Sequence, residues 1–173
     1  MVSFLEPEKI IKQIPLQEGF LAADFGSGAG GFTIPLAKKI FKGLVYAFDI
    51  QEEPLSALRG NAHNQGVSNI KTGKCDLEDP DATGIPDNSL DAVLIVNILF
   101  QIEHDDAVIK EAARITKPGG MIIIVDWKKD VPFGPDTKRI SLDEVRDIAR
   151  RLDLKLKQEI DAGTYHWGAI FEK

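Results

Sequence analysis

Asp24, followed by Phe25 and then by glycines at 26, 28, 30 and 31, is the group in this 173-residue chain whose types and spacing could do chemistry. Glycines let backbone approach a ligand closely and adopt positive φ without a Cβ clash. Gly26, Gly28 and Gly31 satisfy the G-x-G-x-x-G pattern that seats a pyrophosphate on a helix N-terminus. Asp24 argues for a different ligand. A fixed carboxylate beside a doubly charged pyrophosphate repels it by several kcal/mol, about 4 at an effective dielectric near 20. A zwitterionic amino-acid end suits the loop better. Its α-carboxylate takes backbone N–H groups of the stretch Gly26, Ser27, Gly28 and Gly30 and the positive end of the helix dipole, and its α-ammonium takes Asp24. The pattern alone leaves both ligands open.

The elements that must carry this loop are read from hydrophobic periodicity. Apolar runs alternate with amphipathic stretches, which marks βαβ units and a parallel sheet covered on both faces. A short leading helix spans about 6–14 and stops before Pro15. Strands are predicted at 20–25, 44–48, 70–74, 90–96 and 121–125, with helices at 32–41, 52–65, 105–116 and from Ser141 to about 152. Pro54 opens the 52–65 helix, Gly66 stops it, and Ser141-Leu142-Asp143-Glu144 forms a capping box. The run 90–96 is nearly all apolar, as in a fully buried central strand, whereas 79–88 is rich in turn residues. Segments 154–160 and 165–172, joined through Asp161-Ala162-Gly163, predict an antiparallel hairpin closing the sheet. No internal repeat or linker divides 1–173, so a single domain is expected.

Composition narrows the function classes. Hydrophobic residues make up 43% and charged residues 28%, as in ordinary water-soluble domains, and no apolar run reaches the roughly 20 residues of a membrane helix. A net charge of −6 disfavours nucleic acid as a partner, since such binding draws on cations that neutralise phosphates. The densest cations, Arg146, Arg150, Arg151, Lys155 and Lys157, alternate with Asp143, Glu144, Asp147 and Asp153, which predicts a solvated face. The opening residues lack the layout of a secretion signal, and the single cysteine, Cys75, cannot close an internal disulfide. A cytoplasmic location is therefore expected.

Sulfonium-activated methionine joined to adenosine carries the zwitterionic end that Asp24 and the glycine loop call for. At this point the chain resembles the class I S-adenosylmethionine-dependent methyltransferases, in particular the small-molecule type with a bare Rossmann-like core. Five blocks in order carry the resemblance: 22–30 around the glycine loop, Val45-Tyr46-Ala47-Phe48-Asp49, Lys74-Cys75-Asp76-Leu77, Leu90 to Asn97, and Ile115 to Met121. It implies an α/β fold, a three-layer Rossmann-like sandwich with a mostly parallel seven-stranded sheet whose last strand is antiparallel. It implies S-adenosyl-L-methionine as cofactor and membership of the EC 2.1.1 class.

Ligands of open α/β sheets lie beyond the carboxyl ends of the strands. Asp49 closes the second strand, where a carboxylate accepts from both ribose hydroxyls, and Ile50 beside it covers one adenine face. Asp76 is placed to accept from the adenine amino group, with Leu77 at the ring edge. Asn97 ends the buried strand at 90–96, and its amide needs partners, which favours a place near the methionine end. Solvated acids before a helix and in an acidic turn are the alternatives for Asp49 and Asp76. Candidates for the acceptor pocket are Phe100, Gln101, Asp126 and Trp127, with His166 read as a structural histidine. His63 and His104 have no cysteine or carboxylate at ligand spacing, so no metal is expected.

These observations predict methyl transfer to a small organic acceptor by in-line displacement, a protein acceptor being the larger variant. An NAD(P)-dependent oxidoreductase and a cofactor-binding regulatory or partner subunit are the alternatives. Fold does not choose among oxygen, nitrogen, sulfur and carbon acceptors, and oligomeric state is not encoded in any motif here.

Overall fold

The computed structural model describes residues 5–173; residues 1–4, the start of the stretch read as having no secretion-signal layout, lie outside the described residues. The elements follow the βα alternation. They are α1 (Pro7–Gln13), β1 (Leu21–Phe25), α2 (Thr33–Lys39), β2 (Leu44–Asp49), α3 (Glu52–Asn64), β3 (Ile70–Lys74) and β4 (Leu90–Val96). After a single 3₁₀ turn at Leu99–Gln101 come α4 (Asp105–Ile115), β5 (Thr116–Trp127), α5 (Leu142–Arg151), β6 (Lys155–Glu159) and β7 (His166–Glu172).

All seven strands form one sheet in the order β3-β2-β1-β4-β5-β7-β6. β1, β2, β3, β4 and β5 pair in parallel, whereas β7 runs antiparallel to both β5 and β6. Chain order reverses between β1 and β4, so the carboxyl ends of these strands open the crevice that such sheets use for ligands.

Side chains of β4 alternate between two cores, because successive strand residues point to opposite faces. Val93 and Ile95 join Val108 and Ile109 of α4 and Val145 and Ile148 of α5. Ala92, Leu94 and Val96 join Ile10 and Ile11 of α1, Leu36 of α2 and Ile40 directly after it. Both faces are thus dry, which is why the strand reads as an unbroken apolar run. Truncating Ile95, which is fully buried, to Ala removes about 2–5 kcal/mol of stability. The layers are therefore helix, sheet and helix, as expected.

The sheet departs most from the sequence reading at β5. β5 begins at Thr116 rather than at 121, because Leu90 pairs with Thr116 before the register slips and Ala92 pairs with Met121. Gly119, at φ +79°, donates its N–H to Lys173 O at 2.7 Å, a partner remote in sequence. The capping box at Ser141 is formed in both directions, with Ser141 N donating to Glu144 Oε2 at 2.7 Å. The solvated cationic face carries ion pairs, among them Arg146 with Asp143 and Arg150 with Asp147. No described helix is long and apolar enough to cross a membrane.

Candidate functional site

The glycine loop forms because β1 ends in a bend that glycine alone adopts without strain. Gly26 and Ser27 both donate their N–H groups to Phe48 O at 2.9 Å, which ties the loop to the end of β2. Gly26 has φ +73°, and a Cβ there would sit 2.1 Å from Ile98 Cγ2. Gly30, at φ +97°, presses on Leu58 of α3, whereas a Cβ on Gly28 would meet open space. Gly26 and Gly30 therefore serve close packing, and Gly28 leaves the loop bare toward the crevice.

Asp49 locks the loop from the other side. Its Oδ2 accepts from Gly28 N and its Oδ1 from Gln51 N, each at 2.9 Å. A carboxylate has about four acceptor positions, so two remain for ligand hydroxyls. Asp76 is oriented likewise, with Oδ1 accepting from Glu78 N at 3.0 Å.

These groups surround a cleft of about 400 Å³. Gly26, Gly28, Asp49 and Ile50 line one side, Cys75, Asp76, Leu77 and Glu78 the next, and Asn97, Ile98, Gln101 and Ile102 the third. Ile50 is 56% exposed there, an apolar surface free to meet a ring. Among the described residues, no lysine or arginine lines the cleft, and three carboxylates do. A pyrophosphate would find repulsion there and no counter-charge. A groove of about 480 Å³ beside α1, between Glu6, Lys9 and Asp161, holds none of the motif residues.

The side of the loop around Asp24, off the cleft lining, is built differently. Asp24 lies beneath the loop, 2% exposed, and accepts from Thr33 Oγ1 at 2.6 Å. Burial, with the nearby Asp49 charge adding to it and the Thr33 bond opposing it, pushes its carboxyl up to about 7. Asn97 takes φ +53°, and its Oδ1 is buried without a partner, as is Ser27 Oγ. An orphaned buried polar atom costs about 1–3 kcal/mol until something satisfies it. An ammonium next to a carboxylate supplies the donors and acceptors that these two groups lack, so the residues present fit the amino-acid end of S-adenosylmethionine.

Among the acceptor-side candidates, Gln101 alone lines the cleft, and it donates through Nε2 to Asn97 O at 2.9 Å. Phe100 sits half-buried on the 3₁₀ turn. Asp126 is fully buried beneath that turn, where Oδ2 accepts from Leu99 N at 3.0 Å and Oδ1 from Trp127 N at 2.7 Å. Burial pushes its carboxyl up to about 6. Trp127 packs on His166 with ring centroids 4.1 Å apart. Burial and the charge of Lys128 push His166 down to about 4. Sequence reasoning passed over Thr33, Glu78 and Ile98. Glu78 bridges the loops after β3 and β4 by accepting from Glu103 N and His104 N, contacts with no local signature. No group of metal-ligating side chains occurs among the described residues.

A family model described as a methyltransferase domain matches residues 23–124, from β1 into β5, and so takes in the whole cleft. The ubiquinone/menaquinone biosynthesis C-methyltransferase of Burkholderia orbicola is 32% identical over 120 residues, which cover 69% of this chain and 48% of that protein. The demethylmenaquinone methyltransferase of Geobacillus kaustophilus is 31% identical over 130 residues, covering 73% and 53%. The chain thus spans about half the length of these relatives. The crystal structure of an S-adenosylmethionine-dependent methyltransferase from Aquifex aeolicus superposes with a TM-score of 0.84 at 27% identity, over 97% of this chain and 89% of that one. Family match, strand order and a cation-free, carboxylate-lined cleft agree: the chain belongs to the methyltransferase-domain family of class I S-adenosylmethionine-dependent enzymes.

Proposed function

We propose that this chain binds S-adenosyl-L-methionine in the cleft and transfers its methyl group to a small organic acceptor in the cytoplasm. The observation that carries the reading is the pairing of a carboxylate-lined, cation-free cleft with two orphaned oxygens, Ser27 Oγ and Asn97 Oδ1, beside the glycine loop. Asp49 receives the ribose hydroxyls, Ile50 and Leu77 enclose the adenine, and Asp76 accepts from its amino group. Asp24, Ser27 and Asn97 hold the amino-acid end, while Gly26, Gly28 and Gly30 give the loop its shape.

When bound, the cofactor supplies an electrophilic methyl on a sulfonium leaving group. The chain's own part is proximity, holding a nucleophile about 3 to 3.5 Å from the reacting carbon. Ile98, Gln101 and Ile102 form a neutral wall of the cleft, against which we place the acceptor. The relatives' names make a carbon acceptor of quinone biosynthesis the first to try.

Calorimetric titration with S-adenosylhomocysteine and, separately, with NAD and NADP tests the cofactor. Heat from a nicotinamide nucleotide and none from S-adenosylhomocysteine would sink the proposal. Radiolabelled methyl transfer to demethylated quinone precursors then tests the acceptor.

A further inference from the structure

Asp24 sits at the end of β1 between Ala47 of β2 and Leu94 of β4, almost wholly out of water. Thr33, the first residue of α2 and itself fully buried, donates its hydroxyl to Asp24 Oδ2 at 2.6 Å. Among the described residues, no counter-charge accompanies this contact. β2 contributes the carboxylate of Asp49, β4 contributes Leu94, and the lysines of α2, Lys38 and Lys39, lie in its last turn. A buried acid with a neutral donor as its partner is an incomplete ion pair.

We infer that Thr33 is a positioning residue for cofactor binding: its hydroxyl claims one oxygen of Asp24 and leaves the other as the receptor for the cofactor's α-ammonium. This rests on the reading under Proposed function and adds a thermodynamic consequence. Burial without a counter-charge favours the protonated acid, and Asp24 is accordingly half-protonated near neutrality in the free protein. Docking of the ammonium completes the pair. The carboxyl O–H bond breaks heterolytically, its proton passes to solvent, and the ammonium keeps all of its own protons, so a neutral acid plus a cation become an ion pair plus one free proton. Cofactor binding is thereby linked to proton release, and Thr33 sets how much, because its hydrogen bond favours the charged carboxylate.

The test is calorimetric titration of the full chain with S-adenosylhomocysteine in buffers of different ionisation enthalpy, which reads protons released per molecule bound. Wild type should release a fraction of a proton near pH 7 and less as the pH is raised above it. Thr33→Val, which keeps the shape and removes the hydroxyl, should move release at pH 7 toward one and weaken binding there about tenfold. Thr33→Ser should restore both, and Asp24→Asn should abolish release. A merely structural Thr33 would shift Tm and leave the proton count alone. Tight binding with no proton release across this range, or a Thr33→Val protein with the wild-type count and affinity, overturns the inference while leaving the methyltransferase reading intact. Absence of any S-adenosylhomocysteine binding overturns both.

Discussion

The Asp49–Asp76 end of the cleft and the Asp24 side of the glycine loop satisfy their polar groups in opposite ways. Around Asp49 and Asp76, carboxylate oxygens are already held by backbone N–H groups of Gly28, Gln51 and Glu78. Around Ser27 and Asn97, polar atoms are buried with nothing to bond, and Asp24 is buried with no counter-charge. The first end is preorganised, its acceptors fixed by backbone donors and lining the cleft. The second end is destabilised until a ligand completes it. On the proposed reading, specificity for a nucleoside would come from the rigid acceptors, and affinity for an amino-acid end from relief of unsatisfied groups.

Substitutions that break the loop common to both ends should have the largest effect. Gly26→Ala forces a Cβ to within 2.1 Å of Ile98 Cγ2 at φ +73°, and should cost about 2–4 kcal/mol of stability in denaturant titrations. Gly28→Ala, with open space at its Cβ, should cost about 1 kcal/mol and act mainly on ligand affinity. A Gly26→Ala protein as stable as Gly28→Ala would remove the close Ile98 approach from the account.

Asp49→Ala comes next. Two backbone donors lose their acceptor and the ribose loses its partner, so S-adenosylhomocysteine affinity should fall by about 1.5–3 kcal/mol. An unchanged Kd by calorimetry would take Asp49 out of the site.

The pH dependence sharpens the contrast further. Asp24 is held at about 7 against an ordinary 3.8, so the folded chain binds more protons than the unfolded one across that interval. Stability therefore falls as pH rises from about 4 to about 7, and Asp126, held at about 6, adds in the same direction. His166 acts in the opposite sense, its contribution fading as pH drops from 6.5 toward 4. Between about pH 6 and pH 7, Tm should decline in the free protein, and Asp24→Asn should flatten that decline. A Tm that instead climbs through neutrality contradicts the buried, uncompensated acid.

Ser27→Ala should be the smallest change and the most telling. Removing an orphaned hydroxyl should leave stability the same or slightly higher, while ligand affinity falls by about 0.5–1.5 kcal/mol. Loss of stability without loss of affinity would show that the methionine end is not waiting for a ligand.

Local signals were legible wherever one element sufficed to produce them. The apolar run at 90–96 maps onto β4, and the Ser141 capping box forms as written, because a fully buried strand and a helix start each leave their pattern in consecutive residues. The start of β5 was not legible, since Gly119 finds its partner at Lys173 and the register with β4 slips by several residues. The Leu99–Gln101 turn was missed for the same reason: the carboxylate holding it, Asp126, is 27 residues away. Asp126 was read as an acceptor-pocket residue, and it lies under the turn that shapes the cleft wall rather than on the cleft surface.

By itself the sequence determined the glycine loop, the acid two residues before it and the polar residues ending the strands, because strand ends and tight bends are written in residue types a few positions apart. Tertiary structure alone decided which acids stayed hydrated and which were buried. Asp24 and Asp49 look alike in sequence, yet one meets a buried threonine hydroxyl and the other a row of backbone donors, and only chain crossings between distant strands and helices set that difference.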